Sequence, residues 1–188
     1  MNIQPVDAPK IPEDFHVKLR QRFFNKFTEV EGANDGFKSS VCLFKGIEDI
    51  PKNYEDTNHV VEQESTFWYL FGVKETNCYA VIENDSGNSI LFVPRYEEAY
   101  KMWMYVKPVE KFLSDYKVHK VLFVDELEAY LQGKELSQIY IFSGTDSDSK
   151  IDVPLPEEKY LRTAKKVERD ALWTIICNLR VVKTEDEI

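Results

Sequence analysis

Cys78-Tyr79-Ala80-Val81-Ile82, then Asn84-Asp85-Ser86-Gly87-Asn88, then Ser89-Ile90-Leu91-Phe92-Val93 is the run that decides the fold. The first segment is apolar on both faces, which predicts a strand central in its sheet. The middle segment is turn chemistry, and the third is the returning strand of a β-hairpin, ended by Pro94. Beyond residue 93 helical and extended patterns alternate. Tyr96 to Met104 is helix-compatible. Pro108 opens a short helix with Val109, Phe112, Leu113 and Tyr116 inward. Val118 to Val124 reads as a strand, Leu127 to Leu131 as a helix closed by Gly133, and Gln138 to Phe142 as a strand ending at Gly144. The Lys- and Glu-rich stretch 157–174 reads as one charged helix. This alternation predicts an α/β domain, a mixed β-sheet flanked by helices.

Upstream of the hairpin, Ile11-Pro12-Glu13-Asp14 opens a helix, with the proline suited to its first turn. Phe15, Leu19, Phe23 and Phe27 follow at four-residue steps, with Phe24 beside them, and form one core-facing stripe. Gly32-Ala33-Asn34-Asp35-Gly36 breaks that helix. Ser39 to Phe44 reads as a buried strand and Glu48 to Gln63 as a loop. Thr66-Phe67-Trp68-Tyr69-Leu70-Phe71 is rich in β-formers and is predicted as a strand. Residues 1–11 are proline-rich and read as a flexible N-terminal arm.

The chain of 188 residues is 43% hydrophobic and 13% aromatic, enough to fill the core of one domain. Its formal net charge is −9, which disfavours nucleic acid and anionic membrane surfaces as partners. The N-terminus lacks the basic start and apolar core of a signal peptide. No apolar run approaches the ~20 residues needed to span a bilayer. Cys42, Cys78 and Cys177 are unpaired in spacing and lie among apolar neighbours, the usage of reduced thiols in a cytoplasmic protein.

Catalytic signatures are absent. His16, His59 and His119 stand in unrelated contexts, without a nucleophile or metal-binding spacing. Asp146 and Asp148 resemble half of a calcium loop, and Glu157 falls at the twelfth position, but Ile151 stands where the turn glycine belongs. The stretch Met102-Trp103-Met104-Tyr105 would place apolar side chains in nearly every direction of a helix. Such a helix is either buried all round or in contact with something outside the domain.

The last residues, Thr184-Glu185-Asp186-Glu187-Ile188, have the Thr-x-x-Glu spacing of a capping box, with acids in the first turn of a helix that has a single apolar residue. A second domain is expected to follow; the alternative is an acidic tail.

The run Glu64-Ser65-Thr66-Phe67-Trp68-Tyr69-Leu70-Phe71-Gly72-Val73, the hairpin, Leu91-Phe92-Val93-Pro94-Arg95, Trp103-Met104 and the closing Arg180-Val181-Val182-Lys183-Thr184 resemble the N-terminal domain of the prolidase (Xaa-Pro dipeptidase) branch of the creatinase and aminopeptidase P family. The resemblance covers residues 12–188. It implies a creatinase/prolidase-type N-terminal domain over 12–183, with 184–188 the start of a catalytic domain not included here. In that family the catalytic domain holds two metal ions, usually Mn²⁺, on Asp, Glu and His residues and cleaves X–Pro bonds. No catalytic or metal residue and no cofactor is therefore expected on this chain. The implied partners are its own C-terminal catalytic domain, a second copy in a homodimer, and short X–Pro peptides. In such dimers a tryptophan of the N-terminal domain reaches toward the partner subunit's active site, and Trp103 in Lys101-Met102-Trp103-Met104 occupies that place, though Tyr105-Val106-Lys107 departs from the smaller residues of the pattern. Two other readings are compatible with the resemblance: the N-terminal domain of an aminopeptidase P, and a stand-alone creatinase-like adaptor that binds other proteins.

Overall fold

The structure is a computed structural model that describes residues 11–145, 147–148 and 150–188. Most of the expected arm, residues 1–10, and Asp146 of the Asp-x-Asp pair lie outside the described residues. The order of elements is α1 (Phe15–Glu31), β1 (Ser40–Lys45), α2 (Ser65–Phe71), β2 (Tyr79–Glu83), β3 (Ser89–Val93), α3 (Val109–Tyr116), β4 (Lys120–Phe123), α4 (Leu127–Gln132), β5 (Gln138–Ile141), α5 (Glu158–Leu161), β6 (Lys166–Glu168) and α6 (Ala171–Val181). Single 3₁₀ turns lie at Phe37–Ser39, Glu98–Met102, Val124–Glu126 and Glu185–Glu187.

The six strands form one mixed sheet in the order β4-β3-β2-β1-β5-β6. Strand β2 runs antiparallel to both its neighbours, with Leu43 opposite Val81 and Ala80 opposite Leu91. The pairs β1–β5, β3–β4 and β5–β6 are parallel. Because strand side chains alternate, each of β1 to β5 feeds two cores. Cys42, Phe44, Ala80, Ile82, Leu91 and Tyr140 face a layer made by α1, α2, α3 and α6. Val41, Leu43, Val81, Ile90, Phe92 and Ile139 face Leu127, Leu131, Tyr160 and Leu161 of α4 and α5. The doubly apolar hairpin strand therefore sits inside the sheet with helices on both sides, as its sequence predicts.

Helix α1 buries the expected stripe of Phe15, Leu19, Phe23 and Phe27. Phe23 stacks on Phe27 at 5.5 Å, and Phe27 meets the Tyr140 ring edge-on at 4.9 Å. Each of these rings contributes on the order of 1.5–3 kcal/mol by leaving water. A fifth residue of α1 is buried without being apolar. Arg20 is 6% exposed. It donates to Leu70 O at 3.0 Å, Tyr116 O at 3.2 Å and Lys117 O at 2.7 Å. These carbonyls lie at the C-terminal ends of α2 and α3, where a helix leaves its acceptors unpaired and its dipole is negative. Burial pushes the guanidinium down to about 10, so it stays charged at neutral pH.

Three predicted elements differ. Thr66–Phe71 is not a strand: residues 65–71 form α2. The Glu64 carboxylate accepts from Thr66 N at 2.9 Å and Phe67 N at 2.7 Å, capping the start. Gly72 closes the end in the left-handed region at φ 66°, where an added Cβ would stand 2.4 Å from the His16 ring. Local caps overrode the β-propensity of the aromatic run. The single helix expected over 157–174 is also absent. It divides into α5, the edge strand β6 and α6, because Lys166-Val167-Glu168 pairs with β5 and Asp170 starts a new helix. The expected helix over 96–104 is reduced to the 3₁₀ turn Glu98–Met102.

The hairpin is fastened to the outer layer through Glu83, whose carboxylate accepts from Tyr130 at 2.6 Å and Ser86 at 3.0 Å and pairs with Lys134. Burial alone would raise this carboxyl, but the bonds from Lys134, Tyr130 and Ser86 outweigh it and hold it at about 2.

Two outcomes are expected. Arg20→Met removes the donor from the buried Leu70 carbonyl and from the partly buried carbonyls of Tyr116 and Lys117 and should cost about 2–4 kcal/mol with an unchanged m-value in urea unfolding. Glu83 has a depressed folded-state value, so its stabilising contribution is complete above the ordinary carboxylate value of about 4.3 and is lost as the pH falls from there through about 2. The difference in urea midpoint between the parent chain and Glu83→Gln should therefore shrink across that window and be constant above pH 5.5.

Candidate functional site

The crossover from β3 to α3, residues 95–107, gathers the exposed aromatic side chains Tyr100, Trp103 and Tyr105. Its first residue, Arg95, makes a two-pronged contact with Asp125, Nε to Oδ2 at 2.8 Å and Nη2 to Oδ1 at 3.2 Å. The same guanidinium lies 3.7 Å over the centre of the Phe123 ring. Phe123 ends β4 and Asp125 lies in the turn after it, so the contact ties together the C-terminal ends of two neighbouring parallel strands. The far end of the crossover is held by Lys107. Its ammonium pairs with Glu75 at 2.6 Å and Asp115 at 3.2 Å, and stands 4.9 Å and 4.8 Å from the ring centres of Phe112 and Tyr116. Burial alone would lower Lys107, but the carboxylates of Glu75 and Asp115 hold it well above its ordinary value. The Tyr116 hydroxyl donates to Glu75 at 2.5 Å, and burial together with that carboxylate pushes the phenol up to about 12.

Between these anchors the chain makes a single 3₁₀ turn. Trp103 N–H donates to Tyr100 O at 2.9 Å and Met104 N–H to the same oxygen at 3.0 Å. The Tyr96 ring packs on Tyr100 at 5.5 Å. None of the turn's residues is buried. Trp103 is 83% exposed, Met102 81% and Tyr105 73%, with Tyr100 and Met104 also exposed. Of the two sequence-based alternatives, burial all round is overturned. The tip presents a run of large apolar side chains to the surface, the composition of a contact patch.

A second feature is the end of the chain. Thr184 N–H and Oγ1 both donate to Glu187 Oε2 at 2.9 Å, so the capping box is formed, around one 3₁₀ turn. Glu187 is 7% exposed in its side chain and lies 3.5 Å from Arg22, which also donates to Leu179 O and Val182 O at the end of α6. Lys18 reaches Asp186 at 2.8 Å. Two grooves flank this junction. One, of about 940 Å³, runs between α1 and α6 over Ile175 and Leu179, and the other, of about 780 Å³, is lined by Phe15, Trp68 and Tyr69.

Two of the three histidines have structural partners. His16 Nδ1 donates to Tyr69 O at 3.0 Å, and burial holds its pKa below the usual value. His119 Nδ1 accepts from Ser89 N–H at 2.9 Å. All three cysteines are free, and burial pushes the Cys42 and Cys78 thiols up, which removes them as nucleophiles. Among the described residues, no group of three or more His, Cys, Asp or Glu is placed to hold a metal ion, and no helix is long and apolar enough to cross a membrane. Sequence reasoning singled out Trp103 but not the anchors Arg95, Asp125, Lys107 and Glu75, whose partners are too far apart in sequence to signal each other.

Residues 16–140 match the family model of the aminopeptidase P N-terminal domain. The chain belongs to that family. It is 33% identical over 181 residues to the Xaa-Pro dipeptidases of Mus musculus and Homo sapiens, covering 95% of this chain and 36% of each of those proteins. It thus spans little more than a third of the length of these curated relatives. Among solved structures, Zn-substituted Escherichia coli aminopeptidase P in complex with product superposes with a TM-score of 0.71 at 14% identity, over 95% of this chain and 41% of that one. A putative aminopeptidase P from Bacillus anthracis gives 0.68 at 18% identity, over 93% and 42%. These show a shared fold: the six-stranded mixed sheet flanked by helices is that of aminopeptidase P N-terminal regions.

The exposure of the tip and the burial of its anchor make different demands on stability. Trp103→Ala should change the unfolding free energy by less than about 0.5 kcal/mol. Lys107→Met, which strands Glu75 beside a buried phenol, should cost about 1–3 kcal/mol. Chemical unfolding of the two variants beside the parent chain checks both values.

Proposed function

We propose that this chain is the non-catalytic N-terminal domain of a metal-dependent Xaa-Pro dipeptidase. It shapes access to the substrate and contributes to a homodimer, while a C-terminal domain hydrolyses the X–Pro bond. The observation that carries this reading is the match of nearly the whole chain to dipeptidases almost three times its length. The dipeptidase branch is favoured over the aminopeptidase branch by degree of identity: two probable Xaa-Pro aminopeptidases of Fusarium vanettenii are 29% identical over 67% of this chain and 25% identical over 95% of it. In this reading the two metal ions, expected to be Mn²⁺, are held by Asp, Glu and His residues of the C-terminal domain. The present residues act on access, a role we assign to Trp103, and its exposure supports this reading. The location proposed for the protein is the cytoplasm.

The expected outcome is a division of labour. The 188-residue chain should release no proline from X–Pro dipeptides with Mn²⁺ present, and the full-length polypeptide should. In the full-length polypeptide, Trp103→Ala should raise KM for the dipeptide about fivefold or more, the scale of the roughly 1 kcal/mol or more carried by a contact tryptophan. Turnover by the isolated chain would overturn the assignment, and unchanged kinetics would remove Trp103 from the access role.

A further inference from the structure

The geometry points to Arg95 and Lys107 as positioning residues that hold the Trp103 tip in one orientation. Their role for substrate rests on the access reading above, whereas their role in holding the tip does not.

The tip has little holding power of its own. It is a short 3₁₀ segment, entered by a bond from Tyr100 N–H onto Glu97 O and closed by bonds from Trp103 and Met104 onto Tyr100 O. Turns of this kind are weak, and large exposed side chains lose their rotamer freedom only if something fixes the backbone beneath them. What fixes it are two anchors of different chemistry, one at each end. Arg95 is a planar fork matched to the Asp125 carboxylate and laid flat on Phe123. Its partners belong to β4 and the turn after it, so it references the tip to the sheet. Lys107 is a point charge held between Glu75 and Asp115 over two rings, and it references the tip to α3 and to the segment after α2. Two anchors on separate bodies fix a direction as well as a position, and preorganisation of this kind is what lets an exposed aromatic group bind without a large ordering cost.

The anchors also differ in burial. The Arg95 side chain is half exposed, and that of Lys107 is 18% exposed. Arg95 can therefore be altered without disturbing the core, which makes it the clean probe. Arg95→Gln, and separately Asp125→Asn, should accelerate hydrogen exchange at the Trp103 and Met104 amides by about fivefold or more, the combined scale of one exposed forked ion pair and one cation–ring contact. The amides of Ser89–Val93 should not change. The charge-reversed pair Arg95→Asp with Asp125→Arg should restore part of the protection. Arg95→Lys should restore less than the reversed pair, because an ammonium cannot reproduce the fork or the stack. In the full-length polypeptide, Arg95→Gln should raise KM for an X–Pro dipeptide while leaving kcat within about twofold.

Each outcome decides something. Unchanged exchange at Trp103 and Met104 in both Arg95→Gln and Asp125→Asn overturns the positioning role. Equal acceleration at Ser89–Val93 overturns it too, since the contact would then be one of general stability. Faster exchange at the tip with unchanged KM would uphold the anchoring and overturn the access reading instead.

Discussion

A single guanidinium holds the helical layer of this domain together. Arg20 enters the core from α1 and meets the carbonyl ends of α2 and α3. Helices as short as these are marginal alone, and their free carbonyls are costly once desolvated. One residue satisfies three of them, and its positive charge lies where two helix dipoles are negative. It is also 5.7 Å from the centre of the Phe71 ring, at the close of α2. With these ends tied to α1, the aromatic stripe of that helix can press Phe23 and Phe27 onto the sheet, and α3 is set where its Phe112 and Tyr116 rings receive Lys107. The anchor beneath the Trp103 tip thus depends, through α3, on a residue in the first helix of the chain.

The same economy runs through the polar interior. Glu83 gathers Lys134, Tyr130 and Ser86; Glu75 gathers Lys107 and Tyr116; Glu187 gathers Thr184 and Arg22. Each half-buried carboxylate joins two or more elements. The dipeptidases it resembles are longer proteins, and the present region comprises a six-stranded sheet, an exposed aromatic projection and a terminal turn pinned to α1.

The parts of the fold legible in the sequence are those governed by local pattern. The four-residue spacing from Phe15 to Phe27, the doubly apolar β2 and the Asn84–Asn88 turn each express a periodicity that tertiary structure did not override. The family resemblance also lay in contiguous runs. The misreadings have a common cause. In Thr66–Phe71 the aromatic composition favoured a strand, but Glu64 and Gly72, one residue outside each end, set the conformation. In 157–174 the Lys/Glu content favoured a helix, but an open edge of β5 captured Lys166–Glu168. Likewise Trp103 was visible as an apolar residue with no obvious core face, while its anchors were not, because Arg95 and Asp125 carry no mutual signal across the intervening helix. Caps, sheet edges and long-range ion pairs are decided by neighbours in space, so composition within a segment cannot report them.

The sheet order has a consequence for how the chain comes off the ribosome. Strand β1 is central, and its two neighbours are made at very different times. Strand β2 follows within one short stretch, but β5 pairs Ile139 with Val41, nearly a hundred residues downstream. At ~5–20 residues per second, the nascent polypeptide exposes one unpaired edge of β1 for roughly 5–20 seconds. For most of that interval Val41 and Leu43 also lack the α4 side chains, which are made just before β5, and those of α5 follow only after it. The domain is therefore born with a sticky, half-finished sheet, and its safe assembly depends on the arrival of β5 more than on any step before it.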